Sequence, residues 1–314
     1  MKKREKLLAL LDTTTEWESI PAAFFTHFES GHHRGQAAID KHLEYFRYTG
    51  MDFVKIQYEH VFPHIAAIQK PGDWGAMPLY GKDFYEAPLE IAAGLVKAAK
   101  PEALVLMTLY SPFMCAGHTT SDHLITEHLK ENPAQVKKGL EIVTDSLMIF
   151  VKECVRLGID GFYASTQGGE HHRFQDATLF TDYIKPHDLI LHKAIEQSCL
   201  FNILHVCDYH GGYTDLAPFL DYPGHVVNCS LQLGTETITP KAISQMFSRP
   251  YMGGLERLGT IATGSHEDIA ATVRDTLRTA PPQYILGADC TLPNGIDWDN
   301  IKAAISTAHA YQRA

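Results

Sequence analysis

No stretch of this sequence holds the roughly 18 unbroken apolar residues of a membrane span, so a membrane-embedded protein is not expected. Basic residues are in the minority: 27 Lys and Arg stand against 37 Asp and Glu, a net charge of −10. Nucleic acid and anionic membrane both need a basic patch, so neither is an expected partner. Cysteines are few and far apart: Cys115, Cys154, Cys199, Cys207, Cys229 and Cys290 form no disulfide framework. They read as thiols of a reducing compartment or as metal ligands. The leucines after the basic start, Met-Lys-Lys-Arg-Glu-Lys, are too few for a signal h-region, and cytoplasmic residence is the expectation. No Gly-x-Gly-x-x-Gly follows the first apolar run, which argues against a dinucleotide fold. Linkers, internal repeats and low-complexity tracts are absent, so residues 1–314 read as one domain. With 45% hydrophobic and 20% charged residues, disorder, collagen and coiled coil are excluded.

What is present is alternation. Eight short apolar runs cover residues 20–25, 53–58, 103–110, 161–166, 201–207, 225–230, 250–255 and 284–290. They run continuously, as strands buried on both faces do. Helical patterns separate them, at 36–48, 89–100, 133–157, 178–197, 215–220, 240–247, 266–279 and 298–312. Pro186 is placed to kink the fourth of these, and residues 7–11 predict a helix before the first strand. Strand then helix, eight times over, predicts a parallel sheet closed into a single (β/α)₈ TIM barrel. A long loop at 59–88, rich in Pro and Gly and carrying Trp74, follows the second strand and is expected to lie over the mouth as a lid.

In such a barrel the active site lies at the C-terminal ends of the strands. The sharpest constellation there is His205-x-Cys207 with Cys290. Residues two apart on a strand point to one side, so His205 and Cys207 can share an ion. The fifth and eighth strands face each other across a closed barrel, which brings Cys290 to the same point. One imidazole and two thiolates suit zinc, and three protein ligands leave a fourth position open for chemistry. The plainer reading is a core histidine and two buried cysteines.

These residues carry a resemblance. His205-Val-Cys207, the Gly253-Gly254 strand, Gly264-Ser-His-Glu-Asp-Ile269 and Leu286-Gly-Ala-Asp-Cys290 resemble the uroporphyrinogen decarboxylase superfamily. Within it they are similar to the cobalamin-dependent branch of methylcobalamin:coenzyme M methyltransferases. That resemblance implies a (β/α)₈ barrel, zinc on His205, Cys207 and Cys290, and methyl transfer between a corrinoid and a thiol. The corrinoid (methylcobalamin) would arrive on a partner protein. The decarboxylase branch carries an Arg-Gln-Ala-Gly-Arg stretch after the first strand. Here that region reads Phe28-Glu29-Ser30-Gly31-His32-His33-Arg34-Gly35, with one Arg. A metal-independent carboxy-lyase of that type is the alternative.

Asp208-x-His210-Gly211-Gly212 nearly spells a corrinoid-binding motif, but position 213 is Tyr, and the stretch reads as a turn. Glu59, Glu170 and His171 follow strand ends and are candidate catalytic groups; a solvated polar loop is the alternative for Glu170 and His171. His27 and Glu256 are further candidates, with Glu256-Arg257 open to a simple ion pair. The expected substrate is a small thiol, deprotonated on zinc and so made nucleophilic.

Overall fold

Seven of the eight apolar runs form one parallel sheet in the computed structural model, which describes residues 2–12 and 19–312. They are β1 (Phe53–Ile56), β2 (Leu104–Leu109), β3 (Gly161–Thr166), β4 (Ile203–Val206), β5 (Val226–Cys229), β8 (Tyr251–Leu255) and β9 (Tyr284–Ala288). Their order in the sheet is β1-β2-β3-β4-β5-β8-β9. A small antiparallel hairpin, β6 (Gln232–Leu233) and β7 (Glu236–Thr237), stands apart. Every residue of β1 to β5 and β9 is buried, which is why these runs show no alternation.

Residues 20–25 do not form the expected first strand. Their contacts are isolated: the Ala23 N–H donates to Leu286 O at 3.0 Å, and the Leu286 N–H to Pro21 O at 2.8 Å. On the other side the Asp52 N–H donates to Ala22 O at 2.9 Å, and the Ala22 N–H donates to the Asp52 carboxylate at 2.8 Å. Pro21 has no N–H to continue a ladder, and Asp52 supplies a side chain where a backbone carbonyl would sit. The closed eight-stranded barrel read from the sequence is therefore a curled seven-stranded sheet. Segment 20–26 touches both of its edges, bridging Leu286 and Leu292.

The longest helix, Pro133–Leu157, starts where an Asn132 cap and Pro133 predict and stops at Gly158, whose φ of 87° suits only glycine well. It buries Val136, Leu140, Val143, Leu147 and Phe150 along one face. The expected helix at 178–197 is broken into Thr178–Tyr183 and Lys185–Ser198, with Pro186 in the first turn of the second. Two helices without a clear apolar period, Pro112–Thr119 and Asp122–Glu131, start at Ser111 and Ser121, whose hydroxyls cap them. The pattern at 215–220 is only a 3₁₀ turn, Ala217–Phe219.

Much of the long loop packs into the core. It contains two 3₁₀ turns, Pro71–Ala76 and Lys82–Tyr85, and its Trp74 is fully buried. The Trp74 indole donates to His128 Nδ1 at 3.0 Å. A Cβ on Gly139 would lie 2.8 Å from Trp74, so the indole rests against the backbone of the long helix. Among the described residues, no helix is long and apolar enough to cross a membrane.

Candidate metal centre

At the C-terminal ends of the strands a cavity of about 920 Å³ opens, and His205, Cys207 and Cys290 all line it. His205 lies within β4, in register with Ser165 of β3. Cys207 extends the ladder by one bond, its N–H donating to Thr166 O at 3.0 Å. Cys290 follows β9, and its N–H donates to the Asp289 carboxylate at 2.8 Å. The strands β4 and β9 are separated by β5 and β8 in the sheet; only its curl brings their ends together.

The donor atoms of the three residues lie within 4.8 Å of one another, and the two sulfurs are 3.8 Å apart. Two Zn–S bonds of about 2.3 Å at a tetrahedral angle span roughly 3.8 Å, so both thiolates can bind one zinc without moving. His205 Nδ1 is buried with no hydrogen-bond partner among the described residues. An imidazole nitrogen within 4.8 Å of two sulfurs is a donor set that fits zinc. The hydrogen bond between the two sulfurs holds Cys290 far below the usual thiol range and raises Cys207 well above it. The pair thus shares one proton, and His205 reinforces the anion on Cys290. The Gln167 amide donates to Cys207 Sγ at 3.2 Å, and the Tyr163 ring lies over His205 at 4.9 Å.

Glu59 also lines the cavity, paired with His27 Nδ1 at 2.9 Å. Burial alone would raise its carboxyl, but the His27 hydrogen bond and charge hold it below the ordinary value. Glu170 and His171 are elsewhere. Glu170 is buried and accepts a bidentate pair from Nε and Nη2 of Arg173, at 2.5 and 2.9 Å, and its carboxylate also accepts the Gly168 N–H. Arg173 reaches on to Asp122, so this cluster orders the loop after β3. His171 is exposed, with Nδ1 3.0 Å from Gly212 O. Neither lines the cavity. Glu256 is exposed, makes no ion pair with Arg257 among the described residues, and does not line the cavity. Tyr213 occupies the position where the corrinoid motif needs glycine; it is buried and donates to Cys207 O at 3.0 Å, bracing the segment after β4.

Two cavity-lining groups, Lys55 and Gln167, and the neighbouring Asp289 were not singled out by sequence. Asp289 accepts from the N–H groups of Cys290 and Arg257, fixing the turn that carries the third ligand. Burial, with Asp208 nearby, pushes its carboxyl up to about 6. For Lys55 the signal was legible: a lysine inside a wholly buried strand has to have a use or a partner.

No curated protein matches the chain significantly in sequence. Among solved structures, a methyltransferase from Methanosarcina mazei superposes with a TM-score of 0.75 at 14% identity, covering 98% of this chain and 98% of that one. A B12-independent methionine synthase from Shewanella sp. W3-18-1, in complex with selenomethionine, has a TM-score of 0.53 at 14% identity, covering 93% and 94%. At such identities the likeness shows a shared fold, a curled parallel sheet of the TIM-barrel kind. Residues 35–311 match the model of the uroporphyrinogen decarboxylase (URO-D) family, and over that length the chain belongs to it.

Proposed function

We propose that this protein moves a methyl group between a corrinoid, brought by a partner protein, and a small thiol, with zinc held by His205, Cys207 and Cys290. The observation that carries the reading is the 3.8 Å sulfur pair with a His205 ring nitrogen within 4.8 Å, on a large cavity. Zinc there would supply the positive charge that takes the proton from a thiol and leaves the sulfur nucleophilic at neutral pH. Three protein ligands leave the fourth position to the substrate. Gln167 orients Cys207, Tyr163 shields His205 from water, and Asp289 holds Cys290 in place. Glu59, with His27, stands on the cavity wall as a proton-handling pair. The methyltransferase and methionine synthase among the structural neighbours are consistent with methyl transfer.

The family name suggests a metal-independent lyase instead. Against it, Lys55 and Arg257 are the lysine and arginine that line the cavity among the described residues, and Arg34 is not among them. That is poor provision for a substrate bearing many carboxylates. The B12-independent neighbour favours a second reading of the donor alone, in which the methyl group comes from a compound other than a corrinoid. The deciding experiment is metal analysis of the purified chain and of Cys207→Ser. One zinc per chain, lost in the variant together with methylation of a thiol by methylcobalamin, is the expected result. Release of carbon dioxide from a porphyrinogen by zinc-free protein would overturn it.

A further inference from the structure

We propose that Lys55 takes up the proton that a thiol gives up on binding at the His205–Cys207–Cys290 centre, so that the buried site keeps its net charge. The inference rests on the thiol-binding reading above and adds a group to it.

The geometry comes first. Lys55 sits in the middle of β1, whose four residues are all buried, and its side chain points into the barrel. Its Nζ donates to Gln57 Oε1 at 2.7 Å and lies over the rings of Phe25, at 4.6 Å, and Tyr163, at 4.9 Å. The Tyr163 ring in turn covers His205. Lys55 and all three candidate ligands line the same cavity. Among the described residues no carboxylate forms an ion pair with Lys55. A buried ammonium without a carboxylate is costly unless it can shed its proton or gain an anion.

The electrostatics agree. Burial pushes Lys55 down to about 7, against the pull of Cys290, Glu59 and Cys207. From the helix Gly35–Thr49, His42 accepts the Gln57 N–H, and burial holds it down to about 4, so it stays neutral. From β2 the cavity receives Thr108, which is uncharged. Two cysteinates cancel the charge of a divalent ion. A third thiolate would add one negative charge to a cavity whose Lys and Arg cations among the described residues are Lys55 and Arg257. In the proposed step the S–H bond breaks with its electron pair staying on sulfur, and a third N–H bond forms on the Lys55 amine. When the sulfur gains a methyl group it leaves as a neutral thioether, and Lys55 returns the proton to solvent.

The test counts protons. Zinc-loaded full-length protein is titrated with 2-mercaptoethanol in buffers of different ionisation heat, and the protons released per thiol bound are read by calorimetry. Near pH 6 Lys55 is already charged, and the wild type should release about one proton; near pH 8 it should release almost none, although the free thiol is still protonated. Lys55→Met should release about one proton at both. A wild type that releases about one proton at both pH values overturns the inference and leaves the thiol reading standing. Near-zero release at pH 8 in Lys55→Met as well would assign the proton to another group and also overturn it. No thiol binding at all overturns both. If Lys55→Met does not fold, Lys55→Gln replaces it in the same comparison.

Discussion

Cys290 is the residue on which the metal reading turns. Its N–H donates to the Asp289 carboxylate in a short turn, and it stands outside the packed hydrophobic core. Substituting serine should therefore leave the melting temperature nearly unchanged. Zinc affinity should fall by more than about 100-fold, because even the loss of an outer-sphere partner costs 10 to 100-fold. Metal stoichiometry and a thermal melt on the same sample check both halves; a variant that unfolds would mark the zinc as structural. Glu170 behaves in the opposite sense. Its carboxylate neutralises Arg173 inside the loop after β3, so Glu170→Ala leaves that buried cation to Asp122 alone and should cost about 1–3 kcal/mol in urea unfolding. An unchanged denaturation midpoint with lost activity would restore Glu170 to the chemistry. The two cases show what sequence can and cannot say about single residues. His-x-Cys on a strand has a fixed geometry, so its shared direction was legible. A Glu-His-His run after two glycines has none, and whether Glu170 faced a cavity or an arginine three residues on depended on how the loop folded.

At the scale of elements the same division holds. Runs of buried aliphatic residues gave the sheet strands nearly residue for residue, and caps such as Asn132-Pro133 and Thr239-Pro240 set helix starts. The failures have physical causes. Pro21 withholds an N–H and the contacts of 20–25 are made one at a time, which an apolar pattern does not reveal. The helices Pro112–Thr119 and Asp122–Glu131 are set more by their serine caps than by any periodicity. The loop after β1 looked like a lid because proline and glycine mark irregular backbone, yet irregular is not the same as mobile. Trp74 packs on Gly139, where a methyl group would meet the indole at 2.8 Å. Gly139→Ala should thus force the indole out and destabilise the protein by about 1–3 kcal/mol, as overpacking does. Amides around Trp74 should exchange as slowly as those of the sheet, with or without a thiol bound. Fast exchange there that slows on thiol binding would bring the lid back.

For the molecule as a whole, the question is what closes the curl, since Cys290 lies just past the last strand while His205 and Cys207 lie at the end of the fourth. Closure runs through Asp52. Its carboxylate accepts the Ala22 N–H at 2.8 Å and lies 2.8 Å from His309 Nε2 on the last helix, Trp298–Ala310. Ala22 in turn bridges Leu286 of β9, and Leu292, just past Cys290, donates its N–H to Phe25 O at 2.8 Å. One side chain at the start of β1 therefore ties together the first edge of the sheet, the 20–26 segment, the last strand and the last helix. Asp52→Ala strands a buried backbone N–H, a loss of about 1–3 kcal/mol, readable as a lower urea midpoint with an unchanged slope. The consequence for function is separate and more telling. With the seam loosened, Cys290 is held less firmly at 3.8 Å from Cys207. Zinc should bind more weakly in Asp52→Ala, although Asp52 does not line the cavity. Competition with a chelator at a denaturant-free temperature well below the melt measures this. Equal zinc affinity in Asp52→Ala and wild type would mean that β5, β8 and the Asp289 turn alone hold the third ligand, and that the seam serves stability only.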